Sequence, residues 1–196
     1  MMQRNEIEQI ANGVLKKFNI TSAPFSHIKE VCEKESIILK RTNFSLEMDG
    51  AFSVIKNGKY IFYNPNMIDA RKNFTKAHEL GHYFLKHQLE AGNMIYCYNQ
   101  SVSENNRQSL PRIETEANYF ATYFLMPRQM MLKEYKVIAN LLGIDLYRRL
   151  YVDGQDCNIR TWTFVSRHFT MRFGVSKEAL IYRLVSLGLI DYNMNY

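Results

Sequence analysis

The spacing of apolar residues divides the first third of the chain into helical and extended segments. Apolar positions recur every three or four residues over residues 4–18, which predicts an amphipathic helix. Pro24 interrupts this pattern, and a second helix is predicted at residues 27–35. Short apolar runs then predict strands at residues 37–39, 52–55 and 60–63. Asn57-Gly58 between the last two strands favours a hairpin, because both central residues of a type I′ turn need positive φ.

Helical spacing returns after the predicted hairpin. One helix is predicted at residues 68–87, and another at residues 111–125, where Met126-Pro127 ends it. Residues 90–111 between them are rich in polar residues and predict a loop. The remainder of the chain is predicted to be mostly helical, and the fold class is α+β with a small, twisted, antiparallel-rich sheet. Two domains are predicted, at residues 1–128 and 129–196.

The first of these two helices carries the strongest chemical signal, His78-Glu79-Leu80-Gly81-His82. The histidines are four residues apart, about 400° of helical rotation, so both imidazoles leave one face of the helix. Two neutral histidines on a rigid element suit Zn²⁺. Glu79 adjoins the first histidine and can act as a general base on water. Gly81 costs about 1 kcal/mol relative to alanine inside a helix, which indicates close packing there.

A catalytic zinc site needs a third protein ligand and an open fourth position. The helix predicted at residues 111–125 offers Glu114 and Glu116, which point about 200° apart, so only one of them can face the metal. Glu114 is favoured because it lies one turn before Asn118 and beside the apolar face, and Glu116 is the alternative. Asn118 is expected to accept the outer N–H of a ligating histidine and thereby fix its tautomer.

The other three histidines are not expected to bind the metal. His87 lies five residues beyond His82, roughly 140° around the helix, so it is predicted to face elsewhere. His27 and His168 lie far away in the sequence without a supporting pattern, and we expect them to be ordinary polar or packed residues.

Composition narrows the class of protein further. The three cysteines, Cys32, Cys97 and Cys157, form no C-x-x-C pair, which argues against a disulfide framework and a cysteine zinc ribbon. The sequence has no apolar signal-peptide core and no run of eighteen apolar residues, so we expect a soluble cytoplasmic protein with no membrane partner. Its net charge of +6 is dispersed, which favours a solvated basic surface over a nucleic-acid site.

Two blocks of the sequence resemble the signatures of ImmA/IrrE-type metallopeptidases. They are RKNFTKAHELGHYFLKH at residues 71–87 and ETEANYFATYFLMP at residues 114–127. The resemblance implies a zincin-like, gluzincin-type fold with an active-site helix. It implies that the zinc ligands are His78, His82 and Glu114, and that the catalytic residue is Glu79. It also implies an intracellular endopeptidase whose protein substrate is a helix-turn-helix transcriptional repressor or another regulatory protein.

The C-terminal third resembles a helix-turn-helix, with helices predicted at residues 163–172 and 177–187 around a glycine-containing turn. The side chains that could reach phosphate are Arg172, Lys177, Tyr182 and Arg183. Structural support or substrate docking is the favoured interpretation of this segment. Weak binding to duplex nucleic acid is the alternative.

The sequence also predicts how a peptide substrate would be bound. An extended substrate is expected to pair with a strand of the hairpin at residues 51–63. A second donor to the oxyanion is expected, and its candidates are Tyr83, Tyr119 and Tyr123.

Two other classes of protein stay open. One is a DNA-binding regulator with a non-catalytic metal site, and the other is a module that captures a repressor without cutting it. A His₂Glu site also accepts Mn²⁺ or Fe²⁺.

Overall fold

The computed structural model describes most of the chain. The described residues are 2–43, 48–56, 58–87, 94–98, 112–145 and 149–193. Internal contacts separate the chain into two units, Met1–Leu125 and Met126–Tyr196. The predicted division into domains at residues 1–128 and 129–196 stays a prediction, and each unit is described by itself.

The described residues of the first unit form four α-helices and four strands. The helices are α1 (Arg4–Lys17), α2 (Ile28–Lys34), α3 (Asp69–Phe84) and α4 (Arg112–Leu125). The strands are β1 (Ile37–Arg41), β2 (Met48–Ile55), β3 (Gly58–Tyr63) and β4 (Met94–Tyr98). A 3₁₀ turn at Pro24–His27 precedes α2, because proline at the first position of a turn has the right φ but donates no hydrogen bond. The predicted α+β class is confirmed.

The strands form one sheet in the order β1-β3-β2-β4. β2 pairs antiparallel with both β3 and β4, and β1 pairs parallel with β3, so the sheet is antiparallel-rich as predicted. In the hairpin Phe52 lies opposite Ile61 and Ser53 opposite Tyr60. Asn57, the first residue of the predicted turn, lies outside the described residues.

The position of β4 corrects two predictions. Met94–Tyr98 was included in the predicted loop at residues 90–111, but this short run is apolar and aromatic and pairs with β2. Both strands of the hairpin at residues 51–63 are therefore paired on each side, β2 by β3 and β4, and β3 by β1 and β2. An edge is needed to accept another strand, so the expected pairing of a substrate with this hairpin is wrong.

α3 lies between the sheet and α4, packing on β2 and β3 with one side and on α4 with the other. The approach of the two helices is close at Gly81. A Cβ atom at that position would lie 3.2 Å from the Cα and carbonyl oxygen of Ala117 and 3.2 Å from the Cβ of Phe120. The glycine in the middle of α3 thus allows α4 to reach the histidine-bearing helix, which is the packing reason that the sequence indicated.

In the second unit the described residues form three helices and a two-stranded sheet. The helices are α5 (Arg128–Leu142), α6 (Asp156–Phe173) and α7 (Lys177–Ser186), and the strands are β5 (Leu150–Val152) and β6 (Ile190–Tyr192). The strands pair in parallel and were not predicted, because three residues are too few for a periodic pattern. Gly174, with φ of +64°, ends α6, and the Ser176 hydroxyl caps α7 by accepting the Ala179 N–H at 3.2 Å.

One predicted surface residue of the second unit is buried. Arg183 is 4% exposed, and its Nε donates to the carbonyl oxygen of Met126 at 3.0 Å. The prediction that Arg183 contacts phosphate is therefore wrong, because its position on α7 faces the interior of the unit. Within the described ranges no helix has both the length and the apolar character needed to cross a bilayer.

Candidate metal centre

α3 places the two predicted histidine ligands at the α4 interface. His78 is 1% exposed and His82 is fully buried. Their Nε2 atoms lie 3.0 Å apart, because residues four positions apart on a helix share a face. Burial, together with the neighbouring imidazoles of His78 and His87, lowers the pKa of His82 to about 2. The His82 imidazole is therefore neutral at physiological pH and keeps a lone pair for a metal.

α4 brings a carboxylate to the same point. Glu114 Oε2 lies 3.1 Å from the Nε2 of His78, and Glu114 Oε1 lies 3.4 Å from the Nε2 of His82. In the part of the chain that the structure describes, His78, His82 and Glu114 form the group whose ligand atoms could hold a metal ion, all within 4.8 Å of one another. The structure thus brings the three predicted ligands together.

The donor set fits a tetrahedral zinc ion. A zinc–nitrogen distance of 2.0–2.1 Å and a tetrahedral angle put neighbouring ligand atoms about 3.3 Å apart. The separations among the two Nε2 atoms and the Glu114 oxygens are 3.0, 3.1 and 3.4 Å. Two neutral imidazoles and one carboxylate leave a fourth position, which is the arrangement of catalytic zinc sites.

Glu79 lies on the sheet side of α3. Its carboxylate is fully buried, and neither oxygen makes a hydrogen bond of ordinary geometry with the described residues. Burial and repulsion by Glu114 raise the pKa of Glu79 well above its usual value, and the backbone N–H of Phe52 offsets this only in part. A buried carboxylate with no ordinary hydrogen bond is costly, and such groups are typical of functional sites.

The sheet makes room for this carboxylate at Gly50. A Cβ atom at residue 50 would lie 2.4 Å from Cγ2 of Thr75 and 3.2 Å from Oε1 of Glu79. The pairing of β2 with β4 shifts register between Met48 and Gly50. Between these two residues lies the buried Asp49, whose Oδ2 accepts from Nε of Arg71 on α3 at 2.7 Å. This ion pair joins the sheet to the first turns of the metal-site helix. Sequence reasoning missed Gly50 and Asp49, because a register shift between strands has no sequence pattern of its own.

The two histidines predicted to bind the metal have different partners at their Nδ1 atoms. His78 Nδ1 lies 2.9 Å from Asn118 Oδ1, where the sequence predicted a partner. His82 Nδ1 lies 2.9 Å from Nδ1 of His87. The prediction that His87 faces elsewhere is wrong, because it assumed a helix that continues through residue 87. α3 ends at Phe84, Lys86 adopts φ of +56°, and the chain returns His87 to the site.

Glu116 is not a ligand in this arrangement but is also buried, at 3% exposure. Its Oε1 accepts from Nε of Arg112 at 2.8 Å and from the backbone N–H of Met2 at 2.8 Å. Its Oε2 lies 3.3 Å from Nε2 of His87. Burial alone would raise its pKa, but these hydrogen bonds outweigh burial and lower the pKa of Glu116. The choice between Glu114 and Glu116 follows from their different directions on α4.

The tyrosine candidates for an oxyanion donor have other contacts. The Tyr83 hydroxyl donates to Oε2 of Glu35 at 2.7 Å and accepts from Nζ of Lys59 at 3.2 Å. Burial and the bond to Glu35 raise the pKa of Tyr83 to about 12. The Tyr119 ring stacks on Tyr123, with ring centroids 6.0 Å apart. These contacts favour a packing role for each of the three tyrosines.

The other two histidines pair with local carboxylates. His27 Nδ1 lies 3.1 Å from Oε2 of Glu30, three residues away. His168 Nε2 lies 2.6 Å from Oε1 of Glu134, in the second unit. Both imidazoles are about one-third exposed, which agrees with the ordinary polar role expected for them.

A pair of histidines on one helix, a carboxylate from the next and a small antiparallel-rich sheet beside them define a zincin-like protein of the metallopeptidase type. A family model described as the IrrE N-terminal-like domain, of the M78 peptidases, matches residues 32–185, so the chain belongs to this family. The chain is also 29% identical over 130 residues to the uncharacterized immunity region protein 2 of Bacillus phage phi105. That alignment covers 66% of this chain and 73% of the phage protein. The predicted resemblance to ImmA/IrrE-type proteins is confirmed.

Proposed function

We propose that this protein is a zinc-dependent endopeptidase that cuts a regulatory protein in the cytoplasm. The observation that carries the proposal is Glu79, a fully buried carboxylate one residue from His78 that has no ordinary hydrogen bond among the described residues. A structural metal site does not need such a group, because the metal neutralises its own ligands. A general base beside a metal does need it.

In this proposal zinc is held by His78, His82 and Glu114, and Asn118 orients the His78 imidazole. When bound, zinc would lower the pKa of a coordinated water and polarise the carbonyl of the scissile peptide. The distances of 3.0–3.4 Å among the ligand atoms and the neutral state of His82 support this assignment.

Glu79 is the residue that moves protons. Burial raises the pKa of Glu79, so its carboxylate holds a proton more firmly than an exposed glutamate does. It takes one proton from water as the water oxygen bonds to the peptide carbon. When the carbon–nitrogen bond breaks, Glu79 passes that proton to the leaving amine.

The substrate class is proposed on resemblance. ImmA/IrrE-type proteins resemble this chain in both signature blocks, and that resemblance implies helix-turn-helix repressors as substrates. The name of the phage relative, an immunity region protein, supports a regulatory setting. The second unit, a helical segment, would serve as structural support or as a docking site for the substrate.

The test is cleavage of a candidate helix-turn-helix repressor, chosen from the genes that neighbour this one, by the wild type and by Glu79→Gln at equal zinc content. The glutamine keeps the shape of the side chain but cannot take a proton. We expect the variant to bind one zinc per chain and to cut about 10²–10⁴-fold more slowly. Fragments are measured by mass spectrometry over time.

Glu33→Gln is the matched control, because it makes the same chemical change on an exposed residue of α2 that pairs with Lys29 at 3.6 Å. It should cut at the wild-type rate. Equal cleavage by wild type and Glu79→Gln would refute the assigned base. Binding of the repressor without fragments from either protein would instead favour a capturing module.

A further inference from the structure

The two histidines proposed as metal ligands differ in the residues that contact their Nδ1 atoms. His78 faces one neutral amide, Asn118. His82 begins a longer chain of contacts, in which His87 follows at 2.9 Å and Glu116 follows His87 at 3.3 Å. The far end of this chain is anchored by two donors, Nε of Arg112 and the backbone N–H of Met2.

The fold keeps His87 in this place. Its backbone N–H donates to the carbonyl oxygen of His82 at 3.0 Å, which closes the turn after α3. Its ring meets the His82 ring edge to face, with centroids 5.0 Å apart and planes at 68°. The side chains of His87 and Glu116 are each 5% exposed. Water therefore has little access to replace either contact.

The direction of each hydrogen bond follows from the carboxylate. Glu116 in its ionised form only accepts, so the Nε2 of His87 carries the proton and donates to it. In the neutral imidazole of His87, Nδ1 is then an acceptor, and the Nδ1 of His82 donates to it across 2.9 Å. This leaves a lone pair on the Nε2 of His82, the atom that faces His78 and Glu114.

We propose that His87 and Glu116 are positioning residues that fix the tautomer and orientation of His82 for the metal. This inference rests on the proposed function, because it takes His82 to be a metal ligand. Outer partners of ligating histidines raise their basicity and hold the ring plane, and their loss weakens metal binding about 10–100-fold. Glu114 and Glu116, two residues apart, would thus serve the site as ligand and as anchor.

Zinc affinity tests the contact directly. Zinc Kd is measured by competition with a chelator for wild type, His87→Phe and His87→Gln. Phenylalanine fills the space without a hydrogen bond, and we expect about 10–100-fold weaker binding. Glutamine can accept from His82 and donate to Glu116, so it should recover most of the loss. His27→Phe, at a histidine that pairs with Glu30 instead, should bind zinc as the wild type does.

The tautomers of His82 and His87 can be measured in the wild type, so this second test needs no folded variant. In the zinc-loaded wild type, ¹⁵N chemical shifts of the imidazoles should show His87 protonated at Nε2 and His82 protonated at Nδ1. His87 protonated at Nδ1 would overturn the inference, and so would an unchanged zinc Kd in a folded His87→Phe variant. If Glu114→Ala keeps the wild-type zinc Kd, the proposed metal site fails instead.

Discussion

Buried polar side chains are distributed unevenly between the two units. Of nine buried polar or charged residues in the described part of the chain, seven lie on β2, α3 and α4 of the first unit. The second unit contributes Ser166 and Arg183, and each donates to a nearby backbone carbonyl, Ser166 to Thr163 and Arg183 to Met126. The buried polar groups of the second unit therefore have a structural role.

The buried polar groups that lack an ordinary hydrogen bond also differ between the two units. The second unit buries the Tyr135 hydroxyl and the Trp162 indole N–H without an ordinary hydrogen bond among the described residues, and both are neutral groups. The first unit buries the carboxylate of Glu79, which can ionise. Burying an ionised group costs far more than burying a neutral one, so a fold retains it only where another requirement outweighs stability. The comparison therefore favours the first unit as the place of the proposed chemistry.

The largest expected effect comes from comparing the glutamate–histidine pairs of the two units. Glu114→Gln should weaken zinc binding by more than the roughly 10–100-fold of an outer-shell change, because it removes a proposed ligand. Glu134→Gln removes the partly exposed partner of His168 and should leave zinc binding unchanged. Its effect on the free energy of unfolding should stay below about 1 kcal/mol.

Chelator competition and urea unfolding measure these two quantities on the same samples. Loss of zinc from Glu134→Gln, or its retention by Glu114→Gln at wild-type affinity, would remove the distinction between the units.

The metal-site helix shows how far sequence reasoning reaches. The spacing of His78 and His82 is sufficient to place both on one face, because four residues complete about one turn. The same reasoning failed for His87, since the end of α3 at Phe84 carries no stop signal such as proline or glycine. The Glu116 anchor was missed for the same reason, because it depends on the return of His87.

The sheet was harder to predict than the helices. Two short apolar runs on either side of Asn57-Gly58 were enough to predict the β2–β3 hairpin, because a hairpin is set by local contacts. The pairing of β1 with β3 and of β4 with β2 joins segments that are distant in sequence. Nothing in a five-residue run such as Met94–Tyr98 specifies its partner, so the strand order required the structure.

A smaller effect is expected at two helical glycines. Gly81→Ala should destabilise the fold by about 1–3 kcal/mol, because the new methyl group meets the backbone of Ala117 on α4. Gly13→Ala in α1 should stabilise it by up to about 1 kcal/mol, since Gly13 is exposed, nothing lies within 4 Å of its Cβ position and alanine favours a helix. Urea unfolding with and without zinc measures both. Equal stabilisation by the two changes would show that α3 and α4 are not closely packed at Gly81.

The smallest effect concerns duplex binding by the second unit. Arg183, one of the side chains predicted to reach phosphate, is buried, and Arg172 lies 3.6 Å from the carboxylate of Glu134. Four exposed cations remain on α6 and α7: Arg160, Arg167, Arg172 and Lys177. Even if all four contacted phosphate, the logarithm of affinity would fall with the logarithm of salt with a slope of about −3.6. We therefore expect weak, sequence-independent binding at low salt that is lost near physiological salt. Fluorescence anisotropy with a labelled duplex from about 20 to 200 mM salt measures this slope. A steeper slope, or tight binding to one sequence at physiological salt, would give the second unit a recognition function that its buried polar groups do not indicate.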